Sequence, residues 1–160
     1  MTRKEADLHF LLHSAALIED AVRRALVPLG LGPSQARVLD ALDRLGQASQ
    51  AELAQVCNIT AASMSTMTMR LLAAGFIERQ QDPKERRSNI LRLSDRGRLL
   101  LNDIHAAWAS VDRLIETSVG ADKAKSIAQL TRTLRDALGG RTPGARASNG
   151  SAATRDTESA

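Results

Sequence analysis

Aromatic residues are nearly missing from this 160-residue chain, which has two Phe, one Trp and no Tyr. A core must therefore be assembled from Leu, Ile, Val, Ala and Met. That composition suits packed helices better than sheets, whose strands draw on aromatic and β-branched side chains. The same scarcity argues against RNA-binding modules that stack bases on aromatic rings. A single cysteine excludes an internal disulfide framework and a cysteine-built zinc cluster. No apolar run reaches the length that spans a bilayer, and the N-terminal Met1 to Asp7 leads into no signal-peptide core. The expected location is the cytoplasm. A Gly-rich phosphate loop, a Ser-His-Asp set and paired carboxylates in a recognisable site are also missing. An enzyme therefore has no foothold, and no cofactor or metal is expected.

What is present is the balance of an ordinary globular protein, with 25% charged and 43% hydrophobic residues. Net charge is +4, from 22 Lys+Arg against 18 Asp+Glu. A modest positive excess is compatible with an anionic partner, and the placement of the charges matters more than their sum. The length is room for one domain and a tail.

From Leu8 to Leu29 the apolar residues fall at helical spacing (Leu8, Leu11, Leu12, Ala15, Ile18, Val22, Ala25, Leu26, Leu29), with Pro28 and Gly30 marking the end. Gly32-Pro33 opens a second helix whose stripe is Val38, Leu39, Leu42 and Leu45. Ser49-Gln50-Ala51-Glu52 fits a capping box for a short helix to Cys57. Asn58 follows, a residue that tolerates left-handed backbone, and Thr60 can cap another helix closed by Gly75. Two short helices joined by a tight turn outline a helix-turn-helix. The period then changes: Phe76–Gln80 and Asn89–Leu93 predict a β-hairpin around a polar tip, Gln81 to Ser88. Ser94 or Asp95 caps a long helix to about Ser118, and a last helix runs from Ala121 to Leu138. Beyond Gly139-Gly140 the chain is Ser, Thr, Ala, Gly and scattered charge, a composition expected to be disordered.

The charge pattern of the helix-turn-helix points to DNA. No carboxylate occurs between Glu52 and Glu78, and acids on a face that approaches phosphates would repel them. On the helix from Thr60, Met64, Met67, Leu71 and Leu72 are expected in the core. Ala61, Ala62, Ser63, Ser65, Thr66, Met69 and Arg70 are expected on the opposite face. Small and hydroxylic side chains let a helix sit deep in a major groove, with hydroxyls reaching base edges and methyls touching thymine. The bland alternative is a small helix packed inside a helical domain. The hairpin tip weighs against it: Lys84, Arg86 and Arg87 crowd a turn preset by Asp82-Pro83. An arginine on a projecting loop can enter a narrow minor groove, and Glu85 is near enough to brace one of these guanidiniums. A winged-helix module used only for protein contacts is the competing class.

The stretch Asp82-Pro83-Lys84-Glu85-Arg86-Arg87-Ser88-Asn89-Ile90-Leu91-Arg92-Leu93-Ser94-Asp95-Arg96-Gly97 resembles the wing signature of the MarR family. Upstream, Ala51-Glu52-Leu53-Ala54 and Leu71-Leu72-Ala73-Ala74-Gly75-Phe76-Ile77 are similar to its helix-turn-helix and its exit. The resemblance extends in element order from about Leu8 to Leu138. It implies a mainly α fold with a small β-hairpin wing, a winged helix-turn-helix carried on an intertwined dimerisation domain of N- and C-terminal helices. The corresponding divisions are 1–32 plus 95–139 for dimerisation, 33–94 for DNA binding, and 140–160 as tail. It also implies a homodimeric transcriptional regulator, a repressor released by a small-molecule effector, bound to a pseudo-palindromic operator in double-stranded DNA. Arg87 would enter the minor groove, with Asp82 and Glu85 bracing the wing. Glu85 stands where the family usually has Asp, and Asn58 where a turn glycine is common.

Family members bind effectors between the dimer helices and the DNA-binding lobe, which makes Phe10, His13 and Trp108 the expected pocket lining. His9 and His13, four apart, have a spacing that could share a metal, with His105 as a third candidate. No cysteine or matched acid accompanies them, so surface or pocket histidines are the better reading. Cys57 stands where the family usually has Leu and is expected to act as a small buried hydrophobe rather than a redox sensor.

Overall fold

The computed structural model describes residues 7–81 and 89–140. Helix α1 spans Asp7–Leu26 and runs into a 3-10 turn, Val27–Leu29, so the first predicted helix is one turn shorter than its periodicity suggested. Pro28 sits in that turn, which ends at Gly30 in left-handed conformation. Helix α2 (Pro33–Leu45) starts with proline at its first turn, where a missing N–H costs nothing. The Gln35 side chain accepts from the Gly32 amide at 2.9 Å, satisfying another free donor of the helix end.

The reciprocal cap expected at Ser49 is present on helix α3 (Gln50–Cys57). Glu52 N donates to Ser49 Oγ at 3.2 Å, and Ser49 N donates to Glu52 Oε2 at 2.7 Å. Asn58 turns the chain with φ 52°, the one positive φ outside glycine among the described residues. Helix α4 (Ala61–Ala73) is capped by Thr60, whose Oγ1 accepts from Ser63 N at 3.1 Å.

The hairpin is part of a three-stranded antiparallel sheet. Strand β1 (Ala48–Ser49) pairs with β3 (Asn89–Leu93), which also pairs with β2 (Ile77–Gln81), so β3 is central. The third strand went unanticipated because two residues carry no alternation to read. Helix α5 (Asp95–Val119) and helix α6 (Ala121–Ala137) complete the fold.

The core is formed where α2, α3, α4 and the sheet meet the first half of α5: Leu26, Leu39, Leu42, Leu53, Met64, Leu71, Leu91 and Ile104 are fully buried. Burial of such side chains stabilises by about 1.5–3 kcal/mol each. Thr68 joins them, a polar residue in the stripe where only Met64, Met67, Leu71 and Leu72 were expected. Outside this body, α1 packs along α5, and α6 packs on α5 alone among its major contacts. No residue of α6 is buried within one chain.

Candidate nucleic-acid interface

Helix α4 presents an exposed face made of Ala62, Ser63, Thr66, Met69 and Arg70, with Ala61 exposed at its first turn. Ser65, expected with them, is half-buried at the flank, while Ala73 extends the face by one turn and was missed. Its helical spacing from Ala62, Thr66 and Met69 was the available signal. Two of the hydroxyls are already engaged locally. Thr60 Oγ1 donates to Ser63 Oγ at 2.9 Å, and Thr66 Oγ1 donates to the Ala62 carbonyl at 3.2 Å.

Beside this face runs an open cleft of about 500 Å³ between the start of α2 and α4, lined by Pro33, Ser34, Ala62, Thr66, Met67 and Arg70 among others. No acid lines it. The surface offered to a partner is thus a small-residue ridge with a cation at its C-terminal end and a groove along one side.

The wing rises beside it. Arg92 on β3 donates from both Nε (3.0 Å) and a terminal nitrogen (2.8 Å) to Glu78 Oε2 on β2, a cross-strand pair that stiffens the hairpin near its root. Arg79, on the opposite sheet face and exposed, has no ion pair among the described residues. Asp82, Lys84, Glu85, Arg86 and Arg87 lie outside the described residues.

A knot of contacts ties the exit of α4, the wing and α5 together. Ser94 Oγ donates to the Gly75 carbonyl at 2.6 Å and accepts from Gly97 N at 3.0 Å, capping α5. Arg98 donates to the Leu93 carbonyl at 3.0 Å, and the Arg96 guanidinium lies 5.0 Å from the centre of the Phe76 ring. A β-carbon at Gly97 would overlap the Phe76 carbonyl oxygen, so the close approach requires glycine.

The effector-pocket residues are spread out. Phe10 and His13 lie exposed on α1, and Trp108 is half-buried on α5. Ring contacts among the described residues are His9–Phe10 (6.4 Å), His9–His13 (6.2 Å) and His105–Trp108 (5.6 Å), each within one helix. A second open cavity of about 630 Å³ lies among α1, α5 and α6, with Ile18, Ile115 and Ile127 in its wall, and none of the three pocket candidates lines it. His105 bonds Asp40 across the fold at 2.8 Å instead of joining His9 and His13. Cys57 is half-buried. Burial pushes its thiol above the ordinary cysteine range; Arg37 opposes that shift and Asp40 adds to it. Little thiolate is therefore present near neutral pH.

Comparison with known proteins agrees with this geometry. Residues 29–88 match the MarR family profile, a span from the 3-10 turn through the wing. The HTH-type transcriptional repressor Rv2887 of Mycobacterium tuberculosis is 28% identical over 131 residues, covering 81% of this chain and 94% of that protein. Among solved structures, the transcriptional repressor CouR bound to a 23-mer DNA duplex superposes with a TM-score of 0.74. It shares 27% identity and covers 81% of this chain and 92% of its own. The reduced form of MarR from E. coli superposes with a TM-score of 0.75 at 19% identity, covering 82% of this chain and 98% of its own, a likeness of fold.

Proposed function

We propose that the chain is a MarR-family transcriptional regulator that binds a pseudo-palindromic operator in double-stranded DNA as a homodimer and represses transcription until an effector releases it. The observation that carries the DNA reading is the acid-free, small-residue face of α4 ending in Arg70, set beside an acid-free cleft. Residues 60–74 lie in the major groove, where Ala61, Ala62, Ser63, Ser65, Thr66, Met69 and Arg70 contact bases and backbone. The wing, residues 82–88, follows the minor groove with Lys84, Arg86 and Arg87, braced by Asp82 and Glu85. Support for the dimer comes from the apolar side chains left exposed on α1, α5 and α6, among them Leu8, Phe10, Leu12, Leu114 and Leu130. Residues 1–32 and 95–139 form the dimer body, residues 33–94 the reading lobe, and the half-sites lie about one helical turn apart. A small-molecule effector binds between these parts, with Phe10, His13 and Trp108 in its wall. The relatives' repressor names and the DNA-bound CouR support the same reading.

Fluorescence anisotropy tests it, with the purified protein titrated against its own upstream intergenic duplex and a scrambled duplex across a salt series. Tight, sequence-preferring binding that weakens steeply with salt is expected. Arg87→Ala is expected to cost about 1–3 kcal/mol of operator affinity. Equal, weak binding to both duplexes would defeat the regulator reading, and an unchanged Arg87→Ala would take the wing out of it.

A further inference from the structure

Asp40 is a carboxylate in an apolar place. It lies between Leu39 and Ala41 on the inner side of α2 and is 8% exposed. Its two oxygens face different partners. Oδ2 accepts from Arg44 Nε on the same helix at 2.8 Å, and Oδ1 faces His105 Nε2 on α5, also at 2.8 Å. A carboxylate can only accept here, so His105 Nε2 donates. Arg44 holds the carboxylate from behind and presents its other oxygen to α5.

This bond differs in reach from the other ion pairs. Arg23–Asp20, Arg98–Asp95 and Arg135–Asp136 are local to one helix, and Arg92–Glu78 spans the wing strands. Asp40–His105 joins residues 65 apart in sequence, one on the first helix of the reading lobe and one midway along α5. Polar contacts hold the start of α5 to the end of β3 and to Phe76, whereas midway along α5 the other contact with α2 is apolar, with Leu39 and Leu42 in the same cluster as Leu101 and Ile104. Apolar contact is non-directional and tolerates small slides and rotations. A charge-assisted hydrogen bond holds within a few tenths of an ångström and within a narrow angle. Asp40 is buried while the His105 side chain is 50% exposed, and polar groups set in an apolar contact are best attested as devices that select one register among packings of similar stability.

We propose that Asp40 is a positioning residue: by accepting from His105 it fixes the seat of the reading lobe on α5, and so the separation at which a dimer presents its two α4 helices. This rests on the regulator reading above. It assigns a role in DNA recognition to a residue that touches no DNA.

The chain supplies its own reporter, because its one tryptophan, Trp108, has its ring 5.6 Å from that of His105. The experiment compares wild type, Asp40→Ala, His105→Ala, the double variant and Asp40→Asn. The DNA probe is the duplex that wild type selects from a randomised pool, together with versions carrying one base pair more or fewer between the half-sites. Asp40→Ala and His105→Ala are each expected to lower affinity about tenfold, and the double variant no further. Both should discriminate less than wild type among the spacings, a readout that mere loss of stability would not move. Asp40→Asn, which keeps the shape and an accepting oxygen, should recover most of the discrimination.

Wild-type affinity and spacing preference in both alanine variants, or losses that multiply with spacing preference intact, would overturn the proposal. Should Asp40→Ala fail to fold, His105→Ala and Asp40→Asn carry the test, since the His105 side chain is 50% exposed and Asn keeps the shape of Asp. Trp108 emission is expected to change in Asp40→Ala, where the imidazole loses its acceptor, and to stay near wild type in Asp40→Asn; an unchanged spectrum in Asp40→Ala would overturn the pairing on which the proposal stands. A wild type that selects no duplex would defeat the regulator reading instead, and the Trp108 comparison would still decide whether the pair holds the two helices.

Discussion

Thr68 is the polar residue that the α4 stripe buries without a partner. It is 1% exposed, and its Oγ1 finds no hydrogen bond among the described residues. A buried hydroxyl in that state costs about 1–3 kcal/mol of lost hydration. Thr68→Val replaces the hydroxyl with a methyl of similar volume and is expected to raise unfolding stability by about 1 kcal/mol. Urea denaturation measures it, and a lower midpoint would mean that the hydroxyl has a partner in solution. Sequence reasoning passed over Thr68 because helical stripes are read from hydrophobicity, and threonine scores as polar although its β-branched body packs like valine. Asp40 was invisible for a related reason. An acid between Leu39 and Ala41 reads as an exposed interruption of the stripe, and nothing local announces a histidine 65 residues away. Ser49, Asn58, Thr60 and Ser94 were legible because capping and left-handed turns are decided by chemistry within four residues.

At the scale of elements, α4 and the strands β2 and β3 are tied into one piece by how they are joined. The chain leaves α4 through Gly75, enters β2, returns on β3 and starts α5 at a cap, Ser94, that donates to the Gly75 carbonyl. Gly97 lets the first turn of α5 lie directly on Phe76. A methyl group there meets the Phe76 backbone, which cannot step aside cheaply, as well as Leu93 Cδ2 at 3.3 Å. Gly97→Ala is therefore expected to destabilise the protein by about 1–3 kcal/mol through overpacking, despite the better helix propensity of alanine. The check is again the denaturation midpoint, and a variant as stable as wild type would show that this junction is looser than its geometry. The order of these elements was readable from periodicity and caps. The junction was not, because it depends on three segments meeting in space. The small strand β1 escaped for want of length.

For the molecule as a whole, the distribution of burial is lopsided. The body built from α2, α3, α4 and the sheet has a closed core, whereas residues 7–20 of α1 are exposed throughout and α6 buries nothing. Six large apolar side chains on that part of α1 face solvent in a single chain, and Leu130 on α6 is 68% exposed. Contiguous apolar surface of that extent marks an interaction site, and the helically spaced stripe that predicted these helices is the same stripe that a second copy would cover. If it does, folding and association are one event, and stability depends on protein concentration by mass action. The unfolding midpoint of wild type is expected to rise with concentration. Leu130→Glu, which would bury a carboxylate without a partner, should lower the midpoint at fixed concentration and raise the concentration needed for dimer in sedimentation equilibrium. A midpoint independent of concentration, in wild type and variant alike, would place the partner of this face elsewhere. The two reading helices would then need another way to reach successive major grooves, since a single α4 with Arg70 as its one cation cannot by itself distinguish an operator from bulk DNA by much.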